Sequence, residues 1–292
     1  MIKARQTGNG DPNSSDLAPF APAPIADVVA AIRAAKPDVV FAPHVETSAG
    51  LILPDDYLTA LAATAHEVGA LLVLDCIASG CVWVDMQATG VDVLISAPQK
   101  GWSAAPSAGL VMLSARAKER IATTQSSSFA IDLKKWLTIM QAYEAGGHAY
   151  HATLPTDALR AFRDTMLETK AYGFDKLKAA QWALGTGVRA MLAAKGVQSV
   201  AAEGFGAPGV VVSYTDDPDI QNGKKFAAAG MQIAAGVPLQ CDEPANFRSF
   251  RLGLFGLDKL YDVPGTLARL QAVIDKVMWP AGAAVLIGGA PA

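Results

Sequence analysis

The chain has 292 residues, 51% of them apolar and 17% charged, with a formal net charge of −3. That is enough apolar material for one large or two medium cores, and the near balance of charge, without a basic run or interleaved aromatics, excludes an electrostatic footprint for nucleic acid. No run approaches the roughly 20 uninterrupted apolar residues of a membrane-spanning helix, and the N-terminus lacks the pattern of a signal peptide, so the cytoplasm is the expected compartment.

Residues 1–24 mix Gly, Asn, Asp, Ser and Pro and end in Pro19-Phe-Ala-Pro-Ala-Pro24, a composition expected to stay a loose arm. Apolar residues at helical spacing follow over 25–35, and Asp38-Val-Val-Phe-Ala42 reads as a short buried strand. Pro54-Asp55-Asp56 opens a helix to about Val68, Gly69 ends it, and Leu71 to Asp75 is the next strand. Val91 to Ser96 and Gly109 to Ser114 supply further strands, the second followed by a polar helix through Arg120. Helices are expected over 132–145 and 156–195. Beyond them, Gly209 to Tyr214 and Phe250 to Phe255 read as strands, with helices near 218–229 and 264–278. The apolar, Gly-rich tail after Met278 has no clear periodicity.

Alternating helices and continuous apolar strands predict an α/β fold, a mainly parallel sheet with helices on both faces, joined to a smaller α+β C-terminal unit. The expected division is an arm over 1–24, a large domain over 25–172 and a small domain over 173–292. Cys76, Cys81 and Cys241 give an odd count without metal-ligand spacing, so they read as small buried hydrophobes in a reducing compartment. His44, His148 and His151 form no metal set, and no metal is expected. His66 reads as a solvated helix residue, and Gly204-Phe-Gly206 as a turn.

Two residues carry the chemistry. Asp75 ends an apolar strand, and Lys100 follows the next one after Ser-Ala-Pro-Gln. A lysine held beside a strand end can form a Schiff base with a carbonyl cofactor, and a carboxylate on a neighbouring strand can hold a pyridinium nitrogen protonated. The same placement also suits an ordinary surface lysine and a strand-end aspartate, because α/β proteins collect polar residues at the carboxyl ends of their strands.

Together, His44-Val-Glu-Thr-Ser-Ala-Gly50, Leu74-Asp-Cys-Ile-Ala-Ser79, Gly90-Val-Asp-Val-Leu-Ile-Ser-Ala-Pro-Gln-Lys100 and Phe250-Arg-Leu-Gly-Leu-Phe-Gly256 resemble the class V aminotransferases of fold type I. The likeness runs from about Val39 to about Leu270 and favours the alanine–glyoxylate and serine–glyoxylate aminotransferases. It implies pyridoxal 5'-phosphate as cofactor, with Lys100 as the catalytic Schiff-base lysine that also moves the substrate proton, and Asp75 as the partner of the pyridine nitrogen. Ile77 becomes an apolar wall for the ring, or else a core isoleucine. Thr47 places its hydroxyl at the cofactor's phenolic oxygen, or bonds backbone in its own turn.

By the same resemblance Gln99 lies near the phosphate, whereas the similar cysteine desulfurases carry histidine before the lysine. Tyr150-His-Ala-Thr153 resembles the segment through which one subunit brings Tyr150 and Thr153 to the phosphate of its partner, which implies a homodimer; the other reading is a polar interhelix loop. Arg251 matches the arginine that takes the substrate α-carboxylate, for which a planar guanidinium fork is suited, with Arg248 as its rival.

Two departures stand out. Only about forty residues precede His44, where the family has a glycine-containing phosphate turn and a stacking aromatic, and Gly8-Asn-Gly10 lacks the strand and helix that an anion nest needs. A weaker hold on the cofactor, an incomplete sheet and an exposed apolar edge are therefore expected. Ala105-Pro-Ser-Ala-Gly109 also replaces the usual Pro-Pro-Gly turn. The expected function is transamination between a small amino acid, alanine or serine, and glyoxylate or another 2-oxo acid; the alternatives are a catalytically silent truncated fragment or a pyridoxal-phosphate-dependent lyase of the same fold.

Overall fold

The structure, a computed structural model, describes residues 1–7 and 18–278. Gly8-Asn-Gly10 and the tail after Met278 lie outside the described residues. The stretch expected to be loose is tied down where it is described: β1 (Arg5–Gln6) pairs antiparallel with β2 (Phe20–Ala21). Phe20 is the reason. Its ring is 1% exposed among Val45, Leu51, Val200 and Val212, and its amide donates to Val200 O at 2.7 Å. Burying one such ring stabilises by about 1.5–3 kcal/mol, which outweighs the local ordering cost.

Helix α1 (Ile25–Ala35) leads to β3 (Val39–Pro43), a short hairpin of β4 (Val45–Glu46) and β5 (Leu51–Ile52), α2 (Asp55–Glu67) and β6 (Leu71–Asp75). A turn of helix, α3 (Met86–Thr89), is capped by Asp85, whose carboxylate accepts the Gln87 and Ala88 amides. Next come β7 (Val93–Ser96), β8 (Leu110–Leu113), α4 (Ala115–Thr123) and α5 (Leu133–Glu144), the two helices capped by Ser114 and Asp132. The helix expected over 156–195 is two, α6 (Thr156–Tyr172) and α7 (Phe174–Ala193), parted by Gly173 at φ 111°. Then follow β9 (Val210–Tyr214), α8 (Pro218–Gln221), α9 (Lys224–Ala228), β10 (Ala234–Ala235), β11 (Ser249–Gly253), α10 (Leu257–Leu260) and α11 (Val263–Met278). Gly223, at φ 80°, splits the helix expected near 218–229.

The larger sheet has the order β3-β6-β7-β8. The first three strands are parallel and β8 is antiparallel, because residues 97–109 return the chain without the crossover helix that a parallel strand needs. Leu72, Leu74 and Leu94 share one face with Val40 and Ala42 and pack on Leu58, Leu61 and Ala65 of α2 and Val28 and Ile32 of α1. On the other face Val73, Val93, Ile95 and Leu113 meet Ala117 of α4. The strand expected to be buried at Asp38–Ala42 is not: β3 is an edge strand, and Phe41, on that second face beside Val73, is 74% exposed, because no element among the described residues covers that face there.

The smaller sheet is β10-β11-β9, all antiparallel. Phe250, Leu252 and Val211 pack on Leu177, Leu184, Val188 and Ile274 from α7 and α11, while Val210, Val212 and Tyr214 face Val45, Leu51 and Phe20. One expectation is corrected: His66 is not simply solvated. Its Nε2 lies 2.8 Å from the Asp92 carboxylate, which is 2% exposed and also accepts the Leu72 amide at 2.9 Å and the Ser114 hydroxyl at 3.2 Å. A buried carboxylate has to collect such donors, and the helix beside it supplies one. No helix of the described residues is long and apolar enough to cross a membrane.

Candidate active site at the carboxyl edge of the large sheet

Asp75 is the last residue of β6, opposite Pro43 of β3 and Ile95 of β7. Leu71 to Leu74 are all buried, on both faces of the sheet, and Asp75 emerges where the strand ends and is exposed. Its Oδ1 accepts the Ile77 amide at 2.9 Å, which closes the turn that carries Ile77 as a half-buried side chain. No Lys, Arg or His lies within ion-pair distance of Asp75 among the described residues. The turn is pinned from below: the His44 amide donates to Asp75 O at 2.8 Å, and His44 Nδ1 lies 2.7 Å from Ser79 Oγ. Burial pushes the His44 imidazole down to about 4, the nearby Asp55 opposing and Lys178 adding to that, so it is neutral near pH 7.

Lys100 lies in the irregular loop after β7. Two backbone bonds shape the loop, Ser103 N–H to Lys100 O and Ala104 N–H to Pro98 O, both 3.1 Å. Ser103 adopts φ 58°, a left-handed conformation rare for serine, and its hydroxyl accepts the Leu257 amide at 2.8 Å. This ties the lysine loop to the segment after β11. The Lys100 side chain is half-buried, with Nζ 5.1 Å from the centre of the Phe255 ring. Gln99 beside it is exposed. Trp102 anchors the far side of the loop against Trp83 at 4.9 Å between ring centres and Phe162 at 6.0 Å.

Thr47 occupies the tight turn of the β4–β5 hairpin, half-buried, where Glu46 accepts the Ser48 amide at 2.8 Å. The same turn holds Gly50 at φ 68°, where a Cβ would stand 2.9 Å from Val212 Cγ2. Val212 is the registered partner of Arg251 on β11, and registered antiparallel partners share a face. Arg251 therefore lies on the side of the small sheet against which the Thr47 turn packs. Its Nε donates to Ala235 O at 2.7 Å. Arg248 donates Nη1 to Asp216 O at 2.5 Å, outside this grouping.

Asp75, Ile77, Thr47, Gln99 and Lys100 thus come from loops at one edge of the large sheet, with Arg251 on the adjoining small sheet. Tyr150 and Thr153 stand apart. They lie between α5 and α6, their hydroxyls 3.1 Å from each other, with Tyr150 74% exposed. Neighbouring His151 is held by Phe129 O at 2.9 Å. Sequence reasoning passed over Gln181 and the detailed role of Phe255. Gln181 is fully buried between Leu177, Leu184 and Val188 on the apolar face of α7, and a lone amide at core spacing is the signal that would have found it. Cavities of about 550 Å³, beside β1 and Asp242, and about 250 Å³, beside Glu243 and Arg248, contain none of these site residues. No group of three His, Cys, Asp or Glu fit to hold a metal occurs among the described residues.

The family described as Aminotransferase class-V matches residues 23–203. An alanine–glyoxylate aminotransferase of Felis catus is 33% identical over 45% of this chain and 31% of its own. A 2-aminoethylphosphonate–pyruvate transaminase of Paraburkholderia phymatum is 28% identical over 77% of this chain and 60% of its own. The chain thus spans about a third to three fifths of the length of these curated relatives. In fold it is similar to a crystal structure of an alanine–glyoxylate aminotransferase from Nostoc sp., with a TM-score of 0.73 at 19% identity, over 88% of this chain and 66% of that one.

Proposed function

The chain belongs to the class V aminotransferase family, a family of pyridoxal phosphate enzymes, and from that premise we propose that it transfers an amino group from a small amino acid, alanine or serine, to glyoxylate or another 2-oxo acid. One observation carries the reading: Asp75 and the Lys100 loop leave the same edge of two adjacent, hydrogen-bonded parallel strands. The donor set fits the cofactor. An exposed carboxylate with no cationic partner among the described residues, an amine one strand away and a hydroxyl at Thr47 are the groups that an electron-withdrawing pyridinium aldehyde needs.

Bound there, pyridoxal phosphate supplies an aldehyde that condenses with amines and a protonated ring that accepts the electrons of a breaking Cα–H bond. Asp75 supplies the negative charge that keeps the ring nitrogen protonated. Lys100 Nζ would be the amine that holds such an aldehyde, and the group that would take and return the substrate Cα proton. Ile77 offers an apolar wall, and Thr47 and the Gln99 amide offer hydrogen bonds. Arg251 turns its guanidinium fork to the substrate carboxylate. The amino group and one hydrogen pass to the acceptor, and the donor leaves as its 2-oxo acid, so the exchange balances without an outside oxidant. Both relatives named above carry a 2-oxo acid, glyoxylate or pyruvate, in their names, which supports that class of acceptor.

Tyr150 is exposed, and its neighbour His151 packs on the exposed Phe129 ring at 4.3 Å between ring centres, which supports a homodimer in which Tyr150 and Thr153 reach the partner's phosphate site. The break at Gly173 supports dividing the chain into a cofactor-binding part over 25–172 and a smaller part over 173–292, behind the segment 1–24. Three free thiols suit a cytoplasmic setting.

The test is to mix the protein with pyridoxal phosphate, fix with borohydride and map the adduct by mass spectrometry. The adduct is expected on Lys100 and absent from Lys100→Ala, and alanine with glyoxylate should then give pyruvate and glycine. Release of ammonia in place of amino transfer would favour the lyase reading. An adduct on no residue would favour a non-catalytic role.

A further inference from the structure

The ring beneath Lys100 is closely packed. A Cβ at Gly209 would stand 2.8 Å from Phe255 Cε1, too close for any side chain there, while Gly80 and Gly253 lie at ordinary contact distance, where a Cβ would stand 3.5 Å from Cδ1 and 3.9 Å from Cδ2. The fully buried Gln181 amide ties together the segments that meet at this ring. Its Oε1 accepts the Cys81 amide at 3.4 Å, and its Nε2 donates to Pro208 O at 3.1 Å and Leu254 O at 3.4 Å. Each of those three residues adjoins one of these in sequence: Cys81 follows Gly80, Pro208 precedes Gly209, and Leu254 lies between Gly253 and Phe255. Above the ring, Lys100 Nζ lies within the distance at which an ammonium is drawn to an aromatic face.

We propose that Phe255 is a positioning residue: its face holds the Lys100 ammonium whenever that amine is not joined to the cofactor, so the lysine stays at the edge of the sheet instead of swinging into solvent. The inference rests on Lys100 being the cofactor-bearing amine, as proposed above, but the seat itself is a property of the chain alone. A ring face attracts a cation, whereas an aliphatic side chain of similar bulk fills the space without attracting it.

The test is competitive acetylation of the cofactor-free protein with acetic anhydride, scored at Lys100 by mass spectrometry against exposed lysines as internal standards. Acylation requires the neutral amine, so removing the ring should raise labelling of Lys100 about two- to five-fold in Phe255→Leu and in Phe255→Met. The two differ in shape, so loss of fold in one leaves the other to be read. Phe255→Tyr keeps the face and should label as the wild type does. Equal labelling in all four proteins would overturn the proposal, as would Phe255→Tyr behaving like Phe255→Leu. The borohydride adduct of the wild type is scored in parallel. Its absence beside an intact labelling pattern removes the cofactor reading and leaves the seat standing.

Discussion

Gly101 meets the backbone of Gly80 so closely that a Cβ on Gly101 would stand 2.1 Å from the Gly80 carbonyl oxygen and 2.6 Å from its carbonyl carbon. The Lys100 loop therefore rests on the turn that follows Asp75, and only hydrogen at position 101 allows the contact. The obstacle is backbone on both sides, so no side chain can rotate away. Gly101→Ala is expected to cost about 1–3 kcal/mol of stability and to abolish the borohydride adduct at Lys100. Urea unfolding and adduct mapping check it; a variant unchanged in both would show that the two loops are not mechanically joined.

Asp75 separates stability from chemistry. Its side chain is exposed and makes one local hydrogen bond, to the Ile77 amide, which an asparagine oxygen can also accept. Asp75→Asn should therefore unfold within about 0.5 kcal/mol of the wild type. If the carboxylate faces a ring nitrogen, losing its charge removes one partner of a charged pair, and amino transfer should fall on the order of 10²–10³-fold. Retained transfer in a folded Asp75→Asn protein would take this residue out of the mechanism.

His44 gives the fold a dependence on pH. Its folded value, about 4, lies below the ordinary 6.5 because burial disfavours the imidazolium. The unfolded chain thus takes up a proton below about pH 6.5, whereas the folded chain resists until about pH 4. Stability is lost as pH falls through that window, by about 3 kcal/mol in full. His44→Asn keeps an acceptor near Ser79 Oγ and cannot titrate. Across the window, its unfolding free energy in urea should fall less steeply with acid than the wild type's. Parallel slopes would exclude His44 as the source.

Asp92 sits at the opposite end of the strands, just before β7, where it gathers His66, the Leu72 amide and the Ser114 hydroxyl around a carboxylate that is 2% exposed. Asp92→Ala leaves the buried Leu72 amide without its carboxylate acceptor and should cost about 1–3 kcal/mol. The yield of Lys100 adduct per folded molecule should be unaltered, because this network touches none of the proposed site residues. Differential scanning calorimetry together with adduct yield checks both halves.

Much of this arrangement was legible because periodicity survives folding. The run Leu71 to Asp75 is strand because its apolar side chains serve both faces, and the position of Asp75 at its end follows from where the run stops. Likewise the left-handed stop after α2 was readable at Gly69, at φ 84°. What escaped was tertiary. Phe20 looks like one aromatic in a Pro-rich arm until Val200 and Val212 come round to cover it. His66 looks solvated until Asp92, distant in sequence, arrives beneath it. The proposed site followed the same rule: Lys100 and Asp75 stood out by residue type and place, whereas the packing of Phe255 beside Lys100 depends on Gly209 and Gln181, whose meeting no local pattern encodes.

Phe41 tests the bare edge. It is 74% exposed on β3, an edge strand whose unpaired backbone groups and apolar face invite another strand. A charge there should block such pairing without touching the core, since Val40 and Ala42 point to the opposite, helix-covered face. Phe41→Lys is therefore expected to unfold within about 0.5 kcal/mol of the wild type while scattering less light as concentration rises. The lysine adduct should form as before, because none of the proposed site residues lies on β3. Scattering that persists unchanged would move the cause of association to the exposed apolar residues Phe129 and Ile131, where the matching substitution Ile131→Lys should then suppress it.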